Sequence, residues 1–150
     1  MKLTAKARYA VTALADIAAF GDGTPVALSD IADRQAISLT YLEQLFRKLR
    51  AAGLVESHRG ANGGYVLGAA PRDIRVSDVV LAVDEPIRTT ACIPGQNIGC
   101  AGKSARCLTH DLWDELGRHI EVFLSSITLD DVINKNVLGR ATVGQLEAVQ

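Results

Sequence analysis

Ile37-Ser38-Leu39-Thr40-Tyr41-Leu42-Glu43-Gln44-Leu45-Phe46-Arg47-Lys48-Leu49-Arg50 is the stretch on which the fold turns. Leu42, Leu45, Phe46 and Leu49 recur at the spacing that lays one apolar stripe along an α-helix. Ser38 stands where an N-cap is needed and Gly53 where a helix stops, so a helix is predicted over Leu39 to Ala52. Its other face presents Thr40, Glu43, Gln44 and Arg47 at i, i+3, i+4 and i+7, with Tyr41, Lys48 and Arg50 at the margins. Upstream, Leu28 to Gln35 reads as a short helix, and Ile37-Ser38 leaves room only for a turn, which makes a helix-turn-helix.

Downstream the pattern changes to two short strand-like runs, Leu54-Val55-Glu56-Ser57-His58 and Tyr65-Val66-Leu67, around the glycine-rich Arg59-Gly60-Ala61-Asn62-Gly63-Gly64. Helix-turn-helix followed by hairpin is the winged-helix order, in which the second helix enters the major groove and the hairpin flanks it. The side chains suit base edges: Gln pairs with adenine, Glu accepts from cytosine N4, Thr touches a thymine methyl, and Arg grips guanine or phosphate. A solvated face whose Arg47, Lys48 and Arg50 only complement the helix dipole is the competing reading. Arg59, beside flexible glycines at the wing tip, favours DNA, since a guanidinium there can reach a narrow minor groove or phosphate. The candidate DNA-contacting set is Ser38, Thr40, Tyr41, Glu43, Gln44, Arg47, Arg50 and Arg59.

Further out, Met1 to Phe20 is predicted helical, with Thr4 as cap, Val11, Leu14, Ala15 and Ala18 as its apolar face, and Gly21 to Pro25 as its end. Beyond Pro71 a helix is expected over Val76 to Val83, and residues 85–106 show no period. From Cys107 a helix near twenty residues long carries Leu112, Leu116, Ile120, Phe123 and Ile127 on one face, with Asp114, Glu115, Arg118 and Glu121 off it. That face is most economically buried against a second copy in a homodimer. Trp113 reads as a core anchor, although helical spacing puts it near the metal loop, His58 as a polar strand residue, and Thr128-Leu129-Asp130-Asp131 as the cap of one last short helix.

All three cysteines lie in the unpatterned stretch and its exit, Cys92, Cys100 and Cys107, with His110 following. Three thiolates and an imidazole are four soft or borderline ligands, the number that a tetrahedral zinc or an iron-sulfur cluster takes. Gly95, Gly99 and Gly102 free the loop to wrap an inorganic centre, Pro94 restricts it, and Lys103 and Arg106 favour thiolate forms. Cys107 and His110, at i and i+3, are expected on one face of the helix start. Structural zinc sites often use two close pairs, whereas here only the last pair is close, which leans toward a [2Fe-2S] cluster, with [4Fe-4S] or zinc as alternatives. A catalytic Cys107/His110 pair lacks an orienting third group, so no enzyme is expected.

The expected architecture is mainly α with a small β-hairpin. A winged helix-turn-helix domain covers 1–83, its helix-turn-helix about 28–52 and its wing about 54–67. A cluster-binding loop covers 84–106, a dimerisation helix and short final helix 107–138, and a flexible tail 139–150. At 150 residues the chain can bury a real core, and its net charge of -1 hides a basic front half and an acidic back half. Without a secretory pattern, a membrane-length apolar run or an even cysteine count, a reducing cytoplasm is the expected compartment.

These residues carry a resemblance. Met1-Lys2-Leu3-Thr4, Arg8-Tyr9-Ala10-Val11-Thr12, Ile37 to Phe46, Arg59-Gly60 to Gly63-Gly64-Tyr65, Cys107-Leu108-Thr109-His110 and Leu112-Trp113 are similar to the IscR family of bacterial iron-sulfur cluster regulators, over nearly the whole chain. The resemblance implies a winged-helix homodimer with crossing long helices, and Cys92, Cys100, Cys107 and His110 as [2Fe-2S] ligands. It implies repression of iron-sulfur assembly genes by the cluster-bound dimer at palindromic DNA, and a second class of sites bound with or without cluster. Glu43 matches the acid that obstructs the first class until the cluster is in place, and Thr40, Gln44 and Arg59 match DNA contacts. The intervals of seven and six residues between cysteines exceed the family's usual loop. Related nitric oxide sensors ligate a [4Fe-4S] cluster with an acid of the first helix; here that region offers Arg8, and the nearest acid is Asp16, which favours His110.

Overall fold

The computed structural model describes residues 4–92, 99–100 and 106–140. The chain runs α1 (Ala5–Phe20), α2 (Leu28–Gln35), α3 (Leu39–Ala51), β1 (Val55–His58), β2 (Gly64–Leu67), a 3-10 turn (Pro71–Asp73), α4 (Val76–Ala82), α5 (His110–Ser126) and α6 (Leu129–Ile133). The mainly helical class with one small hairpin is thus as expected. Met1 to Leu3, Pro94, Gly95, Gly102, Lys103 and residues 141–150 of the expected tail lie outside the described residues.

Local chemistry fixes the helix-turn-helix. Ala36 adopts a left-handed conformation, φ 54°, directly after α2, and turns the chain into α3. Ser38 caps α3 as expected, its Oγ accepting from the Tyr41 amide at 3.4 Å. At the other end Gly53, φ 76°, donates to the Arg50 carbonyl and Leu54 to the Leu49 carbonyl, both at 3.0 Å, the paired bonds of a Schellman stop. Leu42, Leu45, Phe46 and Leu49 are buried together with Leu14, Ile31, Val55, Ile74 and Val79 in the main core. Each such side chain contributes roughly 1.5–3 kcal/mol when withdrawn from water.

The wing pairs antiparallel, with Val55 opposite Leu67 and His58 opposite Gly64. A contact not foreseen from the residue pattern adds a third rail: Val26 exchanges two backbone hydrogen bonds with Tyr65, at 2.9 and 2.8 Å, tying the α1–α2 link to β2. Any side chain at Gly64 would collide with the Val26 carbonyl, so this close approach requires glycine. The Tyr65 ring meets Phe46 edge-on at 4.8 Å, seating the wing against α3.

In α1 the buried positions are Ala7, Ala10, Ala13, Leu14, Asp16 and Ile17, so the core face is rotated from the expected Val11, Leu14, Ala15, Ala18 stripe. Where most candidates are alanine, hydropathy does not resolve the face, and close packing decides it. Thr4 occupies the N-cap of α1 without a side-chain bond; instead Glu85 reaches the Ala7 amide with Oε2 at 3.3 Å. At the far end, Val76 donates to Ile127 and Leu129 to Ile74, which joins the start of α4 to the α5–α6 junction. Ala7, Val76, Val80 and Ile127 form a second core there, flanked by Ile87, Phe123 and Leu124.

Candidate metal centre and nucleic-acid interface

α5 starts at His110, three residues later than the expected start at Cys107. His110 is the buried first residue of the helix, and its amide donates to the Cys107 carbonyl at 3.2 Å. The imidazole turns Nδ1 toward two thiols, 3.4 Å from Cys92 Sγ and 3.5 Å from Cys100 Sγ. These three ligand atoms all lie within 4.8 Å of one another. Cys107 departs from the one-face expectation, because it lies in the turn before α5 and not in the helix. Its amide donates to Cys100 Sγ at 3.0 Å, while its own Sγ stands outside the group, 3.7 Å from Thr109 Oγ1.

Two half-buried thiols and a buried imidazole converging on one point form a donor set that fits a soft or borderline metal, because thiolate and imidazole ligands suit zinc and iron-sulfur iron alike. The expected ligands Cys92, Cys100 and His110 are therefore brought together, with Cys107 adjacent through its backbone. Trp113 is a correction: it is 43% exposed and no core anchor. Its Nε1 donates to Thr109 Oγ1 at 3.2 Å, which places it beside the cysteine turn.

On α3 and the wing, Ser38, Thr40, Glu43, Gln44, Arg47 and Arg50 are exposed, Tyr41 is half-buried, and Arg59 is exposed at the hairpin turn. All eight candidate contacts thus occupy one helix surface and the adjoining hairpin. Lys48 differs from its neighbours, since Nζ is engaged by Asp84 Oδ2 at 2.7 Å. That hydrogen bond holds the Asp84 carboxyl below its ordinary range. Tyr9 meets Tyr41 edge-on at 5.7 Å, so α1 also braces the start of the surface helix.

Asp16 was legible only as the nearest acid of the first helix; it is a buried anchor of the helix pair. At 2% exposure it accepts from Arg34 Nε at 3.0 Å, Arg34 Nη2 at 2.7 Å and Gln35 Nε2 at 2.8 Å. The charge is compensated by three donors, as a buried carboxylate requires, and the Asp16 bond raises the Arg34 pKa. Arg34 also lies 4.9 Å over the Phe20 ring. Since Arg34 and Gln35 close α2 just before Ala36, this network sets the angle from which α3 departs.

In α5 only His110 and Gly117 are buried, while Leu112 and Val122 are each 61% exposed and Leu116, Ile120 and Phe123 are half-buried. The expected apolar stripe is covered at its far end, where Ile127 and Phe123 join the second core, and is left open by the described residues at Leu112 and partly at Leu116 and Ile120. No helix among the described residues is long and apolar enough to cross a membrane.

Residues 3–135 match the Rrf2 family, described as an iron-dependent transcriptional regulator. The HTH-type transcriptional regulator IscR of Vibrio atlanticus is 53% identical over 136 residues, covering 91% of this chain and 77% of that one. IscR of Pectobacterium carotovorum is 52% identical over 139 residues, 92% of this chain and 83% of its own. Among solved structures, T. potens IscR superposes with a TM-score of 0.72 at 36% identity, covering 98% of this chain and 96% of that one. CymR, the global cysteine regulator of B. subtilis, gives 0.75 at 32% identity, covering 90% and 98%.

Proposed function

This chain belongs to the Rrf2 family of iron-dependent transcriptional regulators, and we propose that it couples occupancy of an iron-sulfur centre to the choice of DNA site. It is a DNA-binding regulator of the IscR type and not an enzyme. The observation that carries the sensing reading is the convergence of Cys92 Sγ and Cys100 Sγ on His110 Nδ1. With Cys107 as fourth ligand this set would hold a [2Fe-2S] cluster, which supplies a reversible one-electron, oxygen-labile signal when bound.

The protein's own groups do the rest. The Cys107 amide donates to Cys100 Sγ, the kind of bond that tunes a cluster's potential. His110, buried at the helix start, would bring a neutral imidazole to the set beside three thiolates. The exposed face of α3 reads the major groove through Thr40, Gln44 and Arg47, with Ser38, Tyr41 and Arg50 at its edges, and Arg59 contacts the neighbouring backbone or minor groove. Glu43 sits in the middle of that face and repels phosphate until occupancy moves it. The open Leu112, Leu116 and Ile120 part of α5 pairs with that of a second copy, and the homodimer meets a palindromic operator in the cytoplasm.

Anaerobic reconstitution with iron and sulfide tests the cofactor. The expected result is about two irons and two sulfides per chain with visible absorption, lost in His110→Ala. Four irons per chain retained in that variant select a [4Fe-4S] sensor, and oxygen-stable stoichiometric zinc selects a structural site; either replaces the [2Fe-2S] reading.

A further inference from the structure

We propose that Thr89 and Gly117 form a clamp that holds Cys92 against His110, which makes both of them positioning residues for the metal centre. This rests on the cluster reading for its purpose and on packing for its existence.

The two ligands come from different elements. His110 is fixed by α5, whereas Cys92 arrives on the strap that leaves α4 at Asp84. The strap is fastened on its way: Glu85 bonds the Ala7 amide, Ile87 packs against the second core of Ala7, Val76, Val80 and Ile127, and Thr89 Oγ1 donates to the Trp113 carbonyl. Trp113 lies three residues beyond His110 and Thr89 three residues before Cys92, so the last fastening sits one helical turn from one ligand and three residues from the other. In an α-helix the Trp113 carbonyl is also the acceptor assigned to the residue 117 amide. Thr89 therefore lies over the backbone of that turn.

Only a glycine permits this. A Cβ at position 117 would stand 2.5 Å from Thr89 Oγ1 and 3.4 Å from its Cγ2, although Gly117 is itself buried within α5. Glycine inside a helix costs about 1 kcal/mol relative to alanine, so its presence points to a close approach of another segment. Relieving the clash means either rotating the Thr89 hydroxyl off the Trp113 carbonyl, which undoes the fastening, or shifting Thr89 by roughly 1 Å, the gap between 2.5 Å and ordinary contact. Metal ligation tolerates displacements of only about 0.2 Å, and Cys92 is three residues away. The displacement is large enough to open the Cys92–His110 approach without touching a ligand.

A double-mutant cycle decides the matter. Gly117→Ala, Thr89→Ala, Thr89→Ser and the Gly117→Ala/Thr89→Ala pair are compared by two readouts, with thermal melting to verify folding. The first is the rate of cluster loss to a chelator after anaerobic reconstitution with iron and sulfide. The second, in the metal-free chain with Cys100→Ser and Cys107→Ser, is the rate at which N-ethylmaleimide alkylates Cys92. Gly117→Ala is expected to accelerate both about tenfold, the usual scale for a residue supporting a ligand. Thr89→Ser is expected to match the native chain. The pair is expected to be no worse than Thr89→Ala alone, because truncating Thr89 removes both clashing atoms. Native rates in Gly117→Ala, or additive losses in the pair, overturn the clamp. If Gly117→Ala does not fold, Thr89→Ala against Thr89→Ser decides through the lost hydroxyl bond. If the native chain takes up no iron, the cluster reading fails and the alkylation rates alone judge the clamp.

Discussion

Ala36 holds a left-handed φ of 54° between α2 and α3, a conformation that costs an alanine roughly 1–2 kcal/mol. Glycine there removes the strain but adds about 0.4–1 kcal/mol of unfolded-state entropy, so a net gain near 0.5–1 kcal/mol remains. Ala36→Gly is expected to raise the midpoint of thermal unfolding by about 2–4 °C, as followed by circular dichroism. A lower midpoint would mean that the turn is not strained. At this scale legibility was uneven. Ser38 and Gly53 announce themselves because caps act within a few residues. Asp16 does not, since its partners Arg34 and Gln35 belong to another helix and only folding brings them to it.

Among the elements, α6 shows how a short helix is held. Thr128 and Asp131 form a reciprocal capping box, and Arg140 binds Asp131 at 2.5 Å. The Thr128 amide, first, and then its hydroxyl and Arg140 hold the Asp131 carboxyl below its ordinary 3.8. A depressed carboxylate stabilises the fold above the unfolded value and stops doing so as pH falls through the folded value. Asp131→Asn is therefore expected to melt earlier than the native chain near neutral pH, with the gap closing below 3.8. A gap independent of pH would assign the loss to packing. The Thr128 cap was readable from its four residues. By contrast, the start of α5 was placed too early, because the pairing of Cys107 with His110 imitates helical spacing while a turn joins them. The Val26–Tyr65 bridge left no trace either, being one residue long on one side.

For the whole molecule, the ligand group and the reading helix are linked within one chain by the strap from Asp84 to Cys92. Asp84 grips Lys48 of α3 at one end, and Cys92 meets His110 at the other. A run of contacts within one chain thus leads from the Cys92–His110 group to Lys48 of α3. Glu43→Ala removes the central negative charge from the reading face and is expected to let the apo protein bind cluster-dependent operators about tenfold more tightly at fixed salt. Fluorescence anisotropy with a palindromic duplex checks this; an apo affinity equal to the native one would leave Glu43 without that role. The winged order and the grouping of Cys92 and Cys100 with His110 could be read from spacing, whereas the position of the Cys107 thiol and the strap's route could not, because the turn and the strap lack any period.

The bridge from Val26 to Tyr65 has a consequence for the wing. With β2 stitched at Tyr65 both to the α1–α2 link and, through Phe46, to α3, the distance from the base of the wing to α3 is set by the fold. The base of the wing and the helix beside it therefore move as one piece.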